Sequence, residues 1–198
     1  MSMKNPELEL YVSVDVETDG PIPIKHSLLA LGAQAFTVKD GLLDTFEINL
    51  KPLEIASPDP NTMEWWKTQP EAWKYVTTNQ VPPTIAMRQF NDWVKSLRIK
   101  YNSAPIFVAF PATFDHMFVY VYSHYLLGYC EFKFASLDIK SYTMAVQKTA
   151  FTDVVKRKLP KEWTKDLTKH NHTPLADAIG QAELFLRILR QNLAKPKD

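Results

Sequence analysis

The sequence predicts an α/β fold in a single domain, and three observations lead to that prediction. The chain has 198 residues, of which 45% are hydrophobic, and this is enough for one sizeable core. An alternating apolar strand opens the chain, and an amphipathic helical pattern closes it. Along the whole chain, strand-like and helical segments follow in the order βββ-α-β-α-β-α, without a repeat or a linker. We therefore expect residues 1–198 to form one domain.

The first strand is predicted over residues 8–17, where apolar and mostly polar side chains alternate. Its apolar face consists of Leu8, Leu10, Val12, Val14 and Val16. Two more strand-like runs, 27–38 and 44–50, are separated by the turn-forming residues Asp40 and Gly41. The chain is therefore expected to open with a three-stranded meander.

Two helices are predicted next, after a proline-rich loop over residues 52–60. The first is short and covers residues 62–75, and the second covers residues 84–99 with an apolar stripe at helical spacing. That stripe consists of Met87, Phe90, Val94 and Leu97. Aromatic residues on a short amphipathic helix usually pack into a core. We interpret three tryptophans of the first helix in this way: Trp65, Trp66 and Trp73.

The hydrophobic patterns are weaker over residues 105–171. A buried strand is predicted over residues 105–110 and a helix over 113–129. A short strand over 134–139 is expected to lead into a helix over 140–147. Residues 149–171 are polar and basic, and they fit neither pattern.

The last helix has a clear start. Thr173 suits the N-cap position and Pro174 the first helical position. The predicted buried stripe consists of Leu175, Ala178, Ile179, Ala182, Phe185 and Leu189.

The charge distribution points away from a protein that coats nucleic acid by bulk attraction. The formal net charge is +1, yet residues 1–99 carry 9 basic and 13 acidic side chains, whereas residues 100–198 carry 14 and 9. The basic excess concentrates at Lys156, Arg157, Lys158, Lys161, Lys165 and Lys169. This strip is either a track for phosphates or a solvated loop face, and the sequence does not decide between the two.

Cysteine and hydropathy patterns exclude several classes of protein. A single cysteine, Cys130, rules out an internal disulfide and a multi-cysteine zinc site, so a metal would need carboxylates or histidines. We expect Cys130 to be a buried packing residue. No apolar run approaches the roughly 20 residues of a membrane helix, and the first ten residues do not resemble a signal peptide. We therefore expect a soluble, cytoplasmic protein without a membrane partner.

Two acidic residues lie at the end of the first strand. Asp15 and Glu17 are two positions apart, so their carboxylates project from the same face of the sheet. They would repel each other unless a cation lay between them. An acidic pair on a surface strand is common, but this strand is hydrophobic enough to be central. The pair is therefore a candidate metal site.

Residues 15–21, which read DVETDGP, resemble the first motif of the DEDDh 3′-5′ exonucleases. This group includes ribonuclease T, oligoribonuclease and the proofreading subunits of bacterial replicative polymerases. The second motif of the family is an Asp near the start of a helix that follows a buried strand, and Phe114-Asp115 fits that context. The usual His-Asn pair upstream is replaced here by Phe110-Pro111.

The third motif of the family is a His five residues before an Asp at the start of a helix. His172 and Asp177 match that spacing, and they follow the first two motifs in the expected order. His170 lies two residues earlier and is the rival for the role of His172. The resemblance covers almost the whole chain.

The resemblance implies a ribonuclease H-like fold with a mixed five-stranded sheet, an antiparallel second strand and helices on both faces. It also implies a metal-dependent 3′-5′ exonuclease that releases nucleoside 5′-monophosphates from single-stranded DNA or RNA 3′ ends. The implied cofactors are two Mg²⁺ or Mn²⁺ ions, for which carboxylate oxygens are suitable ligands. Several relatives are dimers, so a homodimer is compatible with the resemblance.

Site roles follow from the same resemblance. The implied metal ligands are Asp15, Glu17, Asp115 and Asp177, with Asp15 bridging the two ions. His172 would take the proton from the attacking water. Thr18 and Phe114 would contact the terminal nucleotide by a hydrogen bond and by stacking.

Two alternatives stay open. A retired domain of the same fold could bind nucleic acid or a protein without cleavage, but such a domain has no need for four carboxylates and a histidine together. A polymerase proofreading subunit is the other alternative, and the short stretch after the last helix, residues 195–198, argues against it. The residues do not separate DNA from RNA, because the contact to the 2′-hydroxyl depends on loop geometry.

Overall fold

The computed structural model describes residues 5–168 and 172–194, and across them five strands form one mixed sheet. The strands are β1 (Leu10–Thr18), β2 (Leu28–Thr37), β3 (Gly41–Asn49), β4 (Pro105–Ala109) and β5 (Leu137–Asp138). Their order is β3-β2-β1-β4-β5. Strand β2 is antiparallel to β1 and β3, whereas β4 is parallel to β1 and β5. The predicted meander and the mixed sheet with an antiparallel second strand are confirmed.

Helices cover both faces of the sheet, as expected. The α-helices of the described residues are α1 (Pro60–Lys67), α2 (Pro70–Val76), α3 (Pro83–Tyr101), α4 (Ala112–Leu127), α5 (Ile139–Gln147), α6 (Lys161–Thr164) and α7 (Pro174–Leu193). Helices α3 and α4 pack on one face, and α7, with α5 and α6 beside it, packs on the other. None of the helices in these described ranges has the length and apolar character needed to cross a lipid bilayer.

Strand β1 lies at the centre of the sheet and contributes to two cores. Its side chains Leu10, Val12, Val14 and Val16 are buried in the core under α3 and α4. On the other face, Tyr11 stacks on Phe36 of β2 and contacts Phe185 of α7 edge-on. The face that the sequence marks as mostly polar is therefore covered as well, because α7 packs on it. The strand also begins later than predicted, since Leu8 lies in a short 3-10 turn and is 54% exposed.

The long helices follow their predicted patterns. The stripe Met87, Phe90, Val94 and Leu97 of α3 is buried, and α7 begins at Pro174 with Thr173 at its N-cap position. Of the stripe predicted for α7, Ala178, Ala182, Phe185 and Leu189 are fully buried, whereas Leu175 and Ile179 are partly exposed. Cys130 is partly buried and packs against the core under α3 and α4.

Two predicted elements were wrong in extent. The single helix over residues 62–75 is two helices, because Pro70 has no N–H to continue the ladder of α1 and instead begins α2. The strand over residues 134–139 shrinks to Leu137–Asp138, and Phe134 is 82% exposed. Ile139, at the end of the predicted strand, instead begins α5 and is buried in the core under α7.

Residues 149–168, which the patterns did not assign, form two 3-10 turns, Phe151–Asp153 and Lys156–Lys158, followed by the short helix α6. Three apolar side chains fix this segment on the core under α7: Val154, Leu159 and Trp163. Lys169 and His170, which belong to the predicted strip and to the third motif, lie outside the described residues.

Candidate active site

The predicted acidic residues come from three elements that meet at the carboxyl end of β1. Asp15 and Glu17 lie on the face of β1 that α7 covers, opposite Gly32 and Ala30 of β2. Both carboxylates are half-buried. The two side chains therefore project from the same face of the sheet, as the sequence predicts.

Asp115 is brought to the same end by α4. It lies in the first turn of that helix, it is 5% exposed, and its Oδ1 accepts a hydrogen bond from the backbone N–H of Val16 at 3.0 Å. The start of α4 is itself fixed by Asp138, whose Oδ2 accepts from the N–H of Ala112 at 2.9 Å. Two hydrogen bonds therefore fix the position of Asp115. One joins its carboxylate to β1, and the other joins Asp138 to the start of α4.

Asp177 and His172 are brought in by the start of α7. Ligand atoms of Glu17, His172 and Asp177 all lie within 4.8 Å of one another, which is the spacing of a shared metal site. Asp177 is buried, and His172 is half-buried with a left-handed backbone (φ 57°). A left-handed non-glycine residue is uncommon and is often found at functional sites.

Gly32 allows α7 to come this close, and sequence reasoning missed it. A Cβ at Gly32 would lie 2.2 Å from the backbone nitrogen of Leu175 and from the carbonyl carbon of Pro174. Since Gly32 pairs with Asp15, the missing side chain opens the sheet surface beside the acidic pair. An isolated glycine inside a strand pattern was the signal, because it often marks a close approach of another backbone.

Gln181 is a second residue that sequence reasoning missed. Its Nε2 donates to Oδ1 of Asp15 at 2.7 Å, and its Oε1 accepts from the backbone N–H of Phe110 at 2.9 Å. The side chain is 4% exposed. It therefore fixes Asp15 relative to the end of β4, where Phe110-Pro111 replaces the family's His-Asn pair. The signal was its position one helical turn after Asp177, on the same face of α7.

Burial raises the pKa of three carboxyls, and the charges of neighbouring carboxylates raise the pKa of two of them further. Loss of hydration raises the pKa of Asp15 well above its usual range, and the charges of Asp115, Glu17 and Asp177 add to this effect. Burial, followed by the charges of Asp177 and Asp115, raises the pKa of Glu17 to about 8. Burial raises the pKa of Asp115 to about 7, against the opposing hydrogen bond from Val16.

This donor set fits a divalent cation. Crowded carboxylates resist ionisation because each removes hydration from the others and repels their charge, and a cation among them would reverse both effects. The oxygen ligands suit hard ions such as Mg²⁺ and Mn²⁺.

The two predicted nucleotide contacts lie beside the cluster. Thr18 ends β1, is 7% exposed, and its hydroxyl donates to the carbonyl oxygen of Gly20 at 2.9 Å. Phe114 is partly exposed and packs on Phe118 with ring centroids 5.1 Å apart.

The tryptophans of α1 and α2 divide into two groups. Trp66 is buried and donates to the carbonyl oxygen of Thr18 at 2.9 Å, and Trp73 packs against it, so the packing interpretation holds for both. Trp65 differs, because it is 39% exposed and its ring contacts that of His172 edge-on at 5.1 Å. Trp65 therefore lies at the candidate site, which its helical spacing did not indicate.

Comparisons with known proteins place the chain in a family of exonucleases. Residues 10–189 match the family described as the 3′-5′ exoribonuclease Rv2179c-like domain. The chain is 37% identical over 193 residues to the 3′-5′ DNA exonuclease Cap18 of Escherichia coli, which covers 96% of this chain and 97% of that protein.

Solved structures share the fold. The nuclease domain of 3′hExo, a DEDDh family member bound to rAMP, superposes with a TM-score of 0.71 at 12% identity and covers 92% of each chain. S. pombe Pop2p, in a form with Mg²⁺ and Mn²⁺ bound, has a TM-score of 0.58 at 13% identity, over 95% of this chain and 86% of that one. The expected ribonuclease H-like fold is confirmed.

Proposed function

The chain belongs to the Rv2179c-like 3′-5′ exoribonuclease domain family, and we propose that it is a metal-dependent exonuclease that shortens single-stranded DNA or RNA from the 3′ end. The products are nucleoside 5′-monophosphates. The observation that carries the proposal is the convergence of Glu17, His172 and Asp177 within 4.8 Å, beside Asp15 and Asp115. An exonuclease family model and a relative named as a DNA exonuclease support it.

Asp15, Glu17, Asp115 and Asp177 would hold two Mg²⁺ or Mn²⁺ ions. When bound, such ions supply activation of the attacking water and neutralisation of the charge that develops on the phosphate. The protein's own contribution is to keep four carboxylates in one place. Gln181 contributes by its hydrogen bond to Asp15, and Val16 contributes by its hydrogen bond to Asp115.

His172 accepts the proton from the attacking water in this proposal. Histidine is the side chain that enzymes use most often as a general base. One general base provides about 10² to 10⁴-fold acceleration. The edge contact with Trp65 limits the orientations that the imidazole ring of His172 can adopt.

Thr18 and Phe114 are the proposed contacts to the terminal nucleotide. The Thr18 hydroxyl donates to Gly20, but its oxygen can still accept a hydrogen bond from the substrate. The exposed part of the Phe114 ring offers an apolar face to a base.

The proposal treats residues 1–198 as one exonuclease domain that works in the cytoplasm. It needs no second copy of the chain, because all five proposed catalytic residues come from a single chain. A retired, non-cleaving domain is a weaker candidate, since burial and then crowding raise the pKa of Asp15 and Glu17, and such an arrangement would serve no purpose in a domain that binds no cation.

The direct test is a nuclease assay on matched DNA and RNA oligonucleotides, labelled at the 5′ end, with Mn²⁺ or with chelator. We expect a ladder of stepwise shortened products on at least one of the two, and no products with chelator. A 5′-phosphorylated mononucleotide should be the released species. If both substrates stay intact with Mn²⁺ present, the proposal is wrong.

A further inference from the structure

The 3-10 turn Lys156–Lys158 is held firmly although its side chains are exposed. Val154 before it is 1% exposed and Leu159 after it is 6% exposed, and both are buried in the core under α7. The backbone N–H of Lys158 also donates to the carbonyl oxygen of Val155 at 2.8 Å. The backbone of Lys156 is therefore fixed relative to the sheet, while its side chain is accessible to a ligand.

A small cavity joins Lys156 to the carboxylate cluster. It has a volume of about 160 Å³, and its walls include Lys156, Thr164, Thr168 and Asp177. The segment with the two threonines lies directly on α7, since a Cβ at Gly180 would be 2.8 Å from the carbonyl oxygen of Thr168. The cavity is thus lined both by a basic residue of the strip and by Asp177 of the candidate metal site.

Two other lysines of the predicted strip lie beside carboxylates. Lys158 forms an ion pair with Asp153 at 2.6 Å, and Lys165 lies 4.0 Å from Asp166. Among the strip residues that the structure describes, Lys156 lines a cavity together with Asp177.

We infer that Lys156 binds the phosphate of the 3′-terminal nucleotide, in the cavity that it shares with Asp177. This inference is based on the proposed exonuclease function and identifies a ligand contact within it. The phosphate is the one that joins the last nucleotide to the strand, and after cleavage it is the 5′-phosphate of the released nucleotide. An ammonium group there offsets part of the repulsion between the phosphate and the carboxylates.

The salt dependence of oligonucleotide binding tests the contact without turnover. A 5′-fluorescein-labelled dT₁₀ is titrated by anisotropy in Ca²⁺ at several NaCl concentrations, with wild type, Lys156→Ala, Lys156→Arg and Lys158→Ala. Each phosphate contact on a single strand contributes about 0.7 to the slope of log K against log salt. We expect Lys156→Ala to reduce the slope by about 0.7, and we expect the other two variants to keep the wild-type slope.

Competition by dTMP and by thymidine identifies which phosphate is bound. Loss of an exposed ion pair of this kind weakens binding by about threefold, so Lys156→Ala should weaken dTMP by that factor and leave thymidine unchanged. If Lys156→Ala has a smaller slope but binds dTMP as tightly as the wild type does, Lys156 contacts an upstream phosphate and the assignment is overturned. An unchanged slope in Lys156→Ala overturns it as well.

The two assays together distinguish a failure of the inference about Lys156 from a failure of the proposed exonuclease function. If the wild type neither binds dT₁₀ nor shortens any oligonucleotide, the exonuclease proposal fails and the inference about Lys156 fails with it. If the wild type binds and shortens oligonucleotides while Lys156→Ala matches it in both assays, only the inference fails.

Discussion

The backbone nitrogen of Leu175 lies 2.2 Å from the place where a side chain on Gly32 would begin. No Cβ is tolerated at that distance, so the first turn of α7 and the middle of β2 are in direct backbone contact. Gly32 pairs with Asp15, and Asp177 follows Leu175 by two residues. The approach of α7 to the sheet therefore sets the distance between the acid of the third motif and those of the first.

Gly32→Ala should separate α7 from the cluster. We expect the added methyl to displace the start of α7, to destabilise the protein by about 1–3 kcal/mol, and to reduce nuclease activity at least tenfold. Thermal unfolding and product release measured on the same sample check both effects. Gly41→Ala is the control, because φ is +79° there but a Cβ would meet only Arg190, at 3.8 Å. That variant should lose stability and retain its activity per folded molecule. Equal losses of activity in the two variants would contradict the positioning role of Gly32.

Gln181→Leu should remove the hydrogen bond that orients the carboxylate of Asp15. Leucine has a similar size but cannot donate to Oδ1 of Asp15 or accept from the Phe110 N–H. Loss of a hydrogen-bond partner that orients a metal ligand typically costs 10- to 100-fold in metal affinity, and we expect a loss in that range for Mn²⁺ by calorimetry. Gln191→Leu, a change on the same helix near Trp163, is the matched control and should bind Mn²⁺ as the wild type does. Wild-type Mn²⁺ affinity in Gln181→Leu would show that Asp15 is held without it.

His172→Ala should separate chemistry from binding. We expect oligonucleotide and Mn²⁺ binding to change little, while turnover falls by about 10² to 10⁴-fold, because the variant lacks the proposed proton acceptor. Single-turnover rates and calorimetry measure the two properties. His170→Ala is the comparison for the rival residue. The assignment is rejected if His172→Ala cleaves at the wild-type rate, and it passes to His170 if only the second variant is inactive.

Asp115→Asn should remove charge while retaining shape. The amide oxygen can still accept from the N–H of Val16, which now bonds to Asp115 at 3.0 Å, so the fold should be stable. Loss of one of four carboxylates should reduce turnover by at least 10²-fold and weaken Mn²⁺ binding. Asp166→Asn, at an exposed position beside Lys165, is the control and should leave both properties unchanged. Normal Mn²⁺ affinity in Asp115→Asn would exclude Asp115 from the metal site.

Without metal, stability should fall as the pH rises. Burial and neighbouring charges raise the pKa of Glu17 from 4.5 to about 8, so the folded chain holds a proton that the unfolded chain releases above pH 4.5. Glu17 therefore makes its full contribution to the free energy of unfolding below pH 4.5, and this contribution is lost as the pH rises to about 8. In chelator, the melting temperature should therefore drop between pH 6 and pH 8. The drop should be smaller in Glu17→Gln, and Mn²⁺ should restore wild-type stability at pH 8. A pH profile identical in wild type and Glu17→Gln would refute the raised pKa.

The sequence by itself determined the order of elements, the central strand, the family and the candidate carboxylates. Local rules suffice for these, because side-chain periodicity, proline positions and motif spacing are written in neighbouring residues. The same rules could have predicted the division of the first helix at Pro70. They could not have predicted the extent of β5, because a strand of two residues has almost no periodicity.

Only the tertiary structure decided how the three motifs meet. Gly32, Gln181 and Trp65 belong to no motif, and each contacts a residue more than 90 positions away in sequence. Local patterns mark the first two positions, but they do not give the contacts that these residues make. The same holds for Lys156, which the sequence could not distinguish from five other basic residues of its strip. The physical reason is that contact across a sheet depends on where each helix packs, and that packing is a property of the whole core.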